Sequence, residues 1–252
     1  MFDKSKINSL GEFKDQLDGV LKLFGIDATD RISDTIRLAM VGATSVGKSS
    51  TINALIGRNI CKVGHVGNTT RNALWIPQYL SKSNQPDFYL LDLPGWGVSK
   101  SVDADYKIML TKEDNLPQAD AVLWIMKADA LGTLTYDLEW IEDTVLPCVG
   151  NNSTKLVIGV NQIENIYDYD FSNGSPSKTL IATLNQKCQL IYDETKKIIP
   201  NLEFKQIQSY SAAKGFRVLP LLRQLTYAAG DKGWILDLIS KVSEENDPFY
   251  KK

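Results

Sequence analysis

Short, continuous apolar runs alternate along the chain with stretches whose apolar residues return every three or four positions. Ile36-Arg-Leu-Ala-Met-Val41 reads as a buried strand, and Lys48 to Ile56 as the helix that follows it. Leu74-Trp-Ile76 predicts a strand, and Pro77 in its continuation puts that strand at a sheet edge, where a missing N–H is tolerated. Residues 81–86, Ser-Lys-Ser-Asn-Gln-Pro, have the composition of a hairpin loop. Phe88 to Leu91 is a strand running into Asp92. Ala121 to Met126 and Leu156 to Val160 are two more buried strands, and Phe204 to Gln208 is a weaker sixth.

Helical spacing fills the intervals. Leu134, Leu138, Ile141 and Val145 share a face. So do Ile181, Leu184, Cys188 and Ile191, with Pro176 and Ser177 as start signals. Phe13, Leu17, Val20, Leu21 and Phe24 mark an amphipathic helix over 9–25, stopped by Gly25; it packs on the domain or docks a partner or membrane. Trp234, Ile235, Leu238, Ile239 and Val242 mark a last helix, and Glu164 to Ser175 is loop-like. Strands alternating with helices predict an α/β fold: a mostly parallel six-stranded sheet with helices on both faces. The expected division is an N-terminal helical extension (1–35), a main domain (36–228) and a C-terminal helix and tail (229–252).

Composition narrows the chemistry. The chain has 252 residues and a formal net charge of −2, so nothing global selects nucleic acid or an anionic membrane as partner. Cys61, Cys148 and Cys188 lie far apart, an odd set that suits a reducing cytoplasm and disfavours a disulfide framework or zinc site. The start lacks the apolar core of a signal peptide, and no run has the length of a transmembrane segment. A single histidine, His65, nearly excludes His-based triads and multi-histidine metal sites.

Residues 42–51, GATSVGKSST, carry the strongest chemical signal. The spacing G-x-x-x-x-G-K-S is that of a phosphate-cradling P-loop, and here it joins a predicted strand to a predicted helix, as the mechanism requires. Gly42 and Gly47 let the backbone turn its N–H groups onto phosphate oxygens. Lys48 offers a point charge to the β- and γ-phosphates, the Ser49 hydroxyl is suited to Mg2+, and the helix adds its positive end.

Four further stretches follow in order: Gly67-Asn-Thr-Thr-Arg71, Asp92-Leu-Pro-Gly95, Asn161-Gln-Ile-Glu164 and Ser211-Ala-Ala-Lys214. With the P-loop they resemble the five G motifs of Ras-like GTPase domains, in particular the Era-like, translation-factor-related branch. The D-x-P-G third motif, the N-Q start of the fourth and Ala121 to Asp129 look most like stand-alone, often prophage-borne, bacterial GTPases.

The resemblance implies GTP and GDP as ligands with Mg2+ between phosphates and protein. Gly42, Ser45, Val46, Gly47, Lys48, Ser49 and Ser50 would bind phosphate; Asn161, Gln162, Glu164, Ser211, Ala212 and Ala213 would bind the base. Ser49, Thr70 and, through water, Asp92 would hold the metal; Lys48, Thr70 and the Gly95 amide would serve hydrolysis, with Thr69 as the alternative to Thr70. Gln162 replaces the family's usual lysine, and Glu164 its usual aspartate. Trp96 stands where many small GTPases carry a water-orienting glutamine, which implies slow hydrolysis aided by backbone groups or a partner. Ser45 leaves open a monovalent cation such as K+. The function implied is a Mg2+-dependent GTPase acting as a conformational switch on a protein effector, with nucleotide-dependent homodimerisation left open. A GTP-dependent interaction module with negligible hydrolysis is the alternative; an ATP-using, kinase-like P-loop enzyme fits the third to fifth motifs less well.

Overall fold

Each of the six predicted strands is present. They are β1 (Ile36–Val41), β2 (Leu74–Gln78), β3 (Phe88–Asp92), β4 (Ala121–Lys127), β5 (Leu156–Asn161) and β6 (Ile207–Ser209). The computed structural model describes residues 35–59, 61, 74–78, 86, 88–92, 100–150, 153–166, 177–233 and 236. The expected helices over 9–25 and 234–242, the 81–86 hairpin, His65, Thr69, Thr70, Gly95 and Trp96 lie outside that set, apart from Pro86 and Leu236.

The sheet order is β2-β3-β1-β4-β5-β6. Every neighbouring pair is parallel except β2, which runs antiparallel to β3 at the edge, with Pro77 opposite Tyr89. The described helices are α1 (Lys48–Ile56), α2 (Lys100–Leu110), α3 (Leu134–Trp140), α4 (Leu146–Val149), α5 (Lys178–Ile198) and α6 (Val218–Ala228). α3 runs through a π-helical stretch, Ile141–Val145, into α4. Ser177 caps α5, its hydroxyl accepting from the Leu180 N–H at 3.1 Å.

The two faces of the sheet bury separate cores. Alternation along β1 sends Ile36, Leu38 and Met40 to one side, against Leu55 and Ile56 of α1 and Leu221, Leu222 and Leu225 of α6. Ala39 and Val41 go to the other, against α2, α3 and α5 through Tyr106, Trp140, Leu184 and Ile191. β4 is buried on both sides, which is why it reads as a continuous apolar run. Trp124 at its centre is fully buried and donates its indole N–H to Asp137 at 3.1 Å. Burial raises the Asp137 carboxyl above the usual range, with the Trp124 and Thr133 hydrogen bonds pulling the other way.

Two corrections concern the last strand and the loop after β5. Phe204–Gln206 is a 3₁₀ turn, and the strand begins only at Ile207. Glu203 and Gln206 cap each other's backbone there, and the Gln206 amide donates to the Ser153 and Leu156 carbonyls, so the chain turns before it can pair. The expected 164–175 loop opens inside another 3₁₀ turn, Ile163–Asn165. Helices α2 and α6 were not among the sequence expectations.

Candidate functional site

The loop between β1 and α1 is shaped by backbone conformations that favour glycine. Gly47 closes it at φ 94°, and Ser45 adopts φ 65°. A Cβ on Gly47 would run into the Asn161 amide nitrogen, and one on Gly42 into the Ile125 carbonyl oxygen of β4. Both positions therefore exclude a side chain for reasons of space as well as torsion. No side chain caps the N-terminus of α1, and its first turn holds no acidic residue. Its N–H groups and the positive end of the helix are thus directed at whatever lies over the loop. The Lys48 ammonium folds back across the loop, donating to the Gly42 and Ala43 carbonyls at 2.8 and 2.9 Å. Ser49 and Ser50 sit half-buried on the first turn of α1, and the Ser45 side chain is exposed.

The fourth and fifth stretches meet this loop at the carboxyl ends of β5 and β6, where ligands bind open α/β sheets. Asn161, buried at the end of β5, donates its amide to the Val46 carbonyl at 2.9 Å and accepts from the Ala212 N–H at 3.1 Å. Gln162 takes a left-handed backbone conformation, φ 61°, and donates to the Ser45 carbonyl at 2.8 Å. Ser211 and Phe216 exchange both backbone hydrogen bonds, closing the loop between them, and the Ser211 hydroxyl accepts from the Lys214 N–H. The result is a cleft lined by Gly47, Ser50, Asn161, Gln162, Glu164, Asn165, Ala212 and Ala213. Glu164 holds its Oε2 out of water with no hydrogen-bond partner among the described residues.

Sequence reasoning missed three residues behind the cleft. The Thr51 hydroxyl donates to the Gly47 carbonyl at 2.8 Å and meets the Tyr210 hydroxyl at 2.8 Å. Burial holds the Tyr210 phenol far above its usual range, so it stays neutral. Gly159 on β5 leaves room for the Tyr210 ring. Only the left-handed, space-starved glycines had a sequence signature; a Thr–Tyr contact across 159 positions has none.

The backbone of Asp92 ends β3, the strand beside β1. Among the described residues no cluster of three or more His, Cys, Asp or Glu could hold a metal unaided. A Mg2+ site made mainly of phosphate and water oxygens, with Ser49 and one carboxylate, needs no such cluster. An apolar hollow between α1, α6 and the sheet, lined by Leu38, Met40, Ile52, Leu55, Phe88 and Leu222 among others, is a packing gap. None of the described helices is long and apolar enough to cross a membrane.

A family model described as "50S ribosome-binding GTPase" matches residues 37–162, half of the chain. Among curated proteins, the uncharacterized protein YkfA of Escherichia coli is 37% identical over 92 residues, covering 36% of this chain and 30% of that protein. GTPase Der of Chloroherpeton thalassium is 29% identical over 148 residues, covering 58% of this chain and 32% of Der. The chain thus spans about a third of the length of these curated relatives. Two solved structures share the fold. A variant of Aquifex aeolicus Era bound to GDP.AlF4- has a TM-score of 0.52 at 24% identity, over 77% of this chain and 57% of that one. Toc33 from Arabidopsis thaliana in complex with GDP and Mg2+ has 0.54 at 14% identity, over 87% and 91%.

Proposed function

The chain belongs to the family described as 50S ribosome-binding GTPases, and from that premise we propose that the cleft binds GTP and GDP with Mg2+ and hydrolyses GTP to GDP and phosphate as a conformational switch. The observation that carries this reading is the Asn161 side chain, which touches the phosphate loop with one end and the Ser211–Ala213 loop with the other. A single ligand spanning both loops is a nucleotide, with phosphates at the helix end and base at Glu164 and Ala212.

The base is guanine on chemical grounds. Glu164 lines the cleft, and its carboxylate, on turning its buried and unpartnered Oε2 outward, can accept from guanine N1–H and N2–H2. Adenine offers neither donor and would leave the carboxylate unpaired, which is costly. The Ala212 N–H is spent on Asn161, so the Ala213 amide, on the same wall of the cleft, is the one proposed for the guanine O6. Gly42 and Val46 complete the backbone cradle around the phosphates, and Ser50 borders it.

Bound Mg2+ would neutralise charge on the β- and γ-phosphate oxygens. Ser49, Thr70 (or Thr69) and, through water, Asp92 are the residues proposed to hold it. Lys48 would exchange its contacts with the loop carbonyls for the terminal phosphates. The Gly95 amide would sense the γ-phosphate. With Trp96 following it, unassisted turnover should be slow, on the order of 10⁻² s⁻¹ or below. Replacing Na+ by K+ and raising protein concentration test two sources of help, a cation at Ser45 and homodimerisation. On the D-x-P-G and N-Q stretches we place the chain nearest the stand-alone bacterial GTPases, acting in the cytoplasm on a protein effector, with the 1–35, 36–228 and 229–252 division as its organisation.

The deciding experiment is competition of GTP, ATP and XTP against a fluorescent guanine nucleotide, followed by single-turnover hydrolysis of GTP. Equal affinity for GTP and ATP would overturn the base assignment. Tight GTP binding without any turnover would replace the switch by a nucleotide-dependent interaction module.

A further inference from the structure

Two buried hydroxyls lie behind the cleft, and neither touches the space a nucleotide would fill. Thr51 and Tyr210 are each 0% exposed, and their oxygens are 2.8 Å apart. The proton count fixes the direction of that bond. Thr51 has one hydroxyl hydrogen and spends it on the Gly47 carbonyl, which can only accept. Tyr210 is therefore the donor to Thr51. Thr51 belongs to the first turn of α1, and Gly47, the residue just before that helix, lines the cleft. Tyr210 directly precedes Ser211, and its own N–H donates to the Val160 carbonyl at 2.9 Å. The Ser211–Phe216 pairing then passes that position on to Ala212 and Ala213, the opposite wall.

We propose that the Thr51–Tyr210 hydroxyl pair is a positioning contact that holds the base-reading loop in register with the phosphate loop, and so sets how long a guanine nucleotide stays bound and how strongly guanine is preferred. The proposal rests on the nucleotide reading of the cleft given above. It closes a ring of hydrogen bonds: Gly47 to Thr51 to Tyr210 on one side, Val46 to Asn161 to Ala212 on the other. Asn161 ties the base loop to the phosphate loop at one point, and the Tyr210 N–H ties it to β5 at Val160. The hydroxyl pair adds a direct tie to α1. β5 is shaped to allow it. A Cβ on Gly159 would stand 2.9 Å from Tyr210 Cε1 and 3.1 Å from Leu123 Cδ1, so the missing side chain is what admits the ring.

The chemistry predicts an order among variants that a general weakening of the fold would not produce. Tyr210→Phe removes one donor and leaves Thr51 bonded to Gly47. Thr51→Val removes both bonds and strands the Tyr210 hydroxyl without an acceptor, so it should act more strongly. Adding Tyr210→Phe to Thr51→Val removes the stranded hydroxyl and should recover part of the loss. Gly159→Ala keeps both hydroxyl groups but crowds the ring, its Cβ 2.9 Å from Cε1 and 3.4 Å from the Tyr210 oxygen, and should resemble Tyr210→Phe.

The test is release of a fluorescent GDP by stopped flow, with competition by GDP and by ADP, on the full chain and these four variants. ADP shares the phosphates but lacks the guanine donors. Tyr210→Phe should speed release about three- to tenfold and lower the GDP-to-ADP preference by a similar factor, the size of one hydrogen bond. Unchanged release in both Tyr210→Phe and Gly159→Ala overturns the proposal. So does an equal loss for GDP and ADP, which marks a contact that only stabilises the fold. If the unmodified protein fails to bind fluorescent GDP, the nucleotide reading itself falls, a result seen before any variant is made.

Discussion

The phosphate loop and the base loops face each other across one cleft, yet they are built by opposite means. The phosphate loop is backbone: Gly42 and Gly47 keep clear of Ile125 and Asn161, and the helix end supplies N–H groups. The proposed base side is side chain: Asn161 and Gln162 join it to the phosphate loop, and Glu164 is the proposed reader. A site made of backbone fails when atoms are added to it. A site made of side chains fails when atoms are taken away.

The largest effect expected on the backbone side is from Gly47→Ala. Its Cβ would collide with the Asn161 amide at a φ of 94°, so the loop must move and the Asn161 bridge with it. Nucleotide binding should be lost by more than about a hundredfold in a calorimetric titration, since strain and broken hydrogen bonds add. Lys48→Ala takes atoms away on that same side, and it sharpens the contrast. The loop should keep its shape and melt near the temperature of the unmodified protein, while triphosphate affinity falls strongly and turnover stops. Retained turnover in Lys48→Ala would remove the P-loop assignment.

The same contrast explains what could be read in advance. The P-loop was legible because backbone constraints leave a fixed spacing of glycines. β1, β3, β4 and β5 were legible because a sheet covered on both faces demands unbroken apolar runs, as in β4, whereas the first part of the expected sixth strand is a 3₁₀ turn. α2 escaped because, among its described side chains, the buried ones are Tyr106 and Leu110, while Ile108 is 63% exposed and breaks the stripe. α6 has the period, with Val218, Leu221, Leu222 and Leu225 buried, but Pro220 reads as a breaker until the helix is seen to start at Val218. A proline in the first turn forfeits no internal hydrogen bond. On the base side, motif order pointed to Asn161 and Glu164. The partners of Asn161, and the Thr51–Tyr210 pair, depend on which strand ends adjoin, which no local pattern encodes.

Next in size is Asn161→Ala, which strands the Val46 carbonyl and the Ala212 N–H together. A buried orphan costs about 1–3 kcal/mol, and part of the cost of the two is borne by the free protein as well, so a loss of about 10- to 100-fold in GDP affinity is expected. An effect below about twofold would mean that the two loops hold their positions without the bridge. Glu164→Ala should cost about tenfold in GTP affinity and should also narrow the gap to ATP. Glu164→Asp should keep or improve guanine affinity, since it retains the acceptor and loses one freely rotating methylene. If neither variant moves the GTP-to-ATP ratio, Glu164 is not the base reader.

The smallest effect comes from Gln162, where the two ways of building a site meet in one residue. Its side chain donates to the Ser45 carbonyl, and the group is exposed enough for water to replace it. Its backbone sits at φ 61°, a conformation that costs a residue with a Cβ about 1 kcal/mol and glycine almost nothing. Gln162→Ala loses the hydrogen bond and keeps the strain. Gln162→Gly loses the same bond and relieves the strain. The backbone gain of glycine is of the same order as the net worth of an exposed hydrogen bond, about 0.5–1.5 kcal/mol. Gln162→Ala should therefore weaken GDP binding by about two- to fivefold, and Gln162→Gly by less than about twofold. Both are read in the same fluorescent-GDP competition. Equal losses would show that the torsion at 162 carries no cost here, and that the side-chain bond alone ties this residue to the phosphate loop. A larger loss for glycine would show that rigidity at 162 matters more than strain. Position 162 would then belong with the backbone-built half of the cleft.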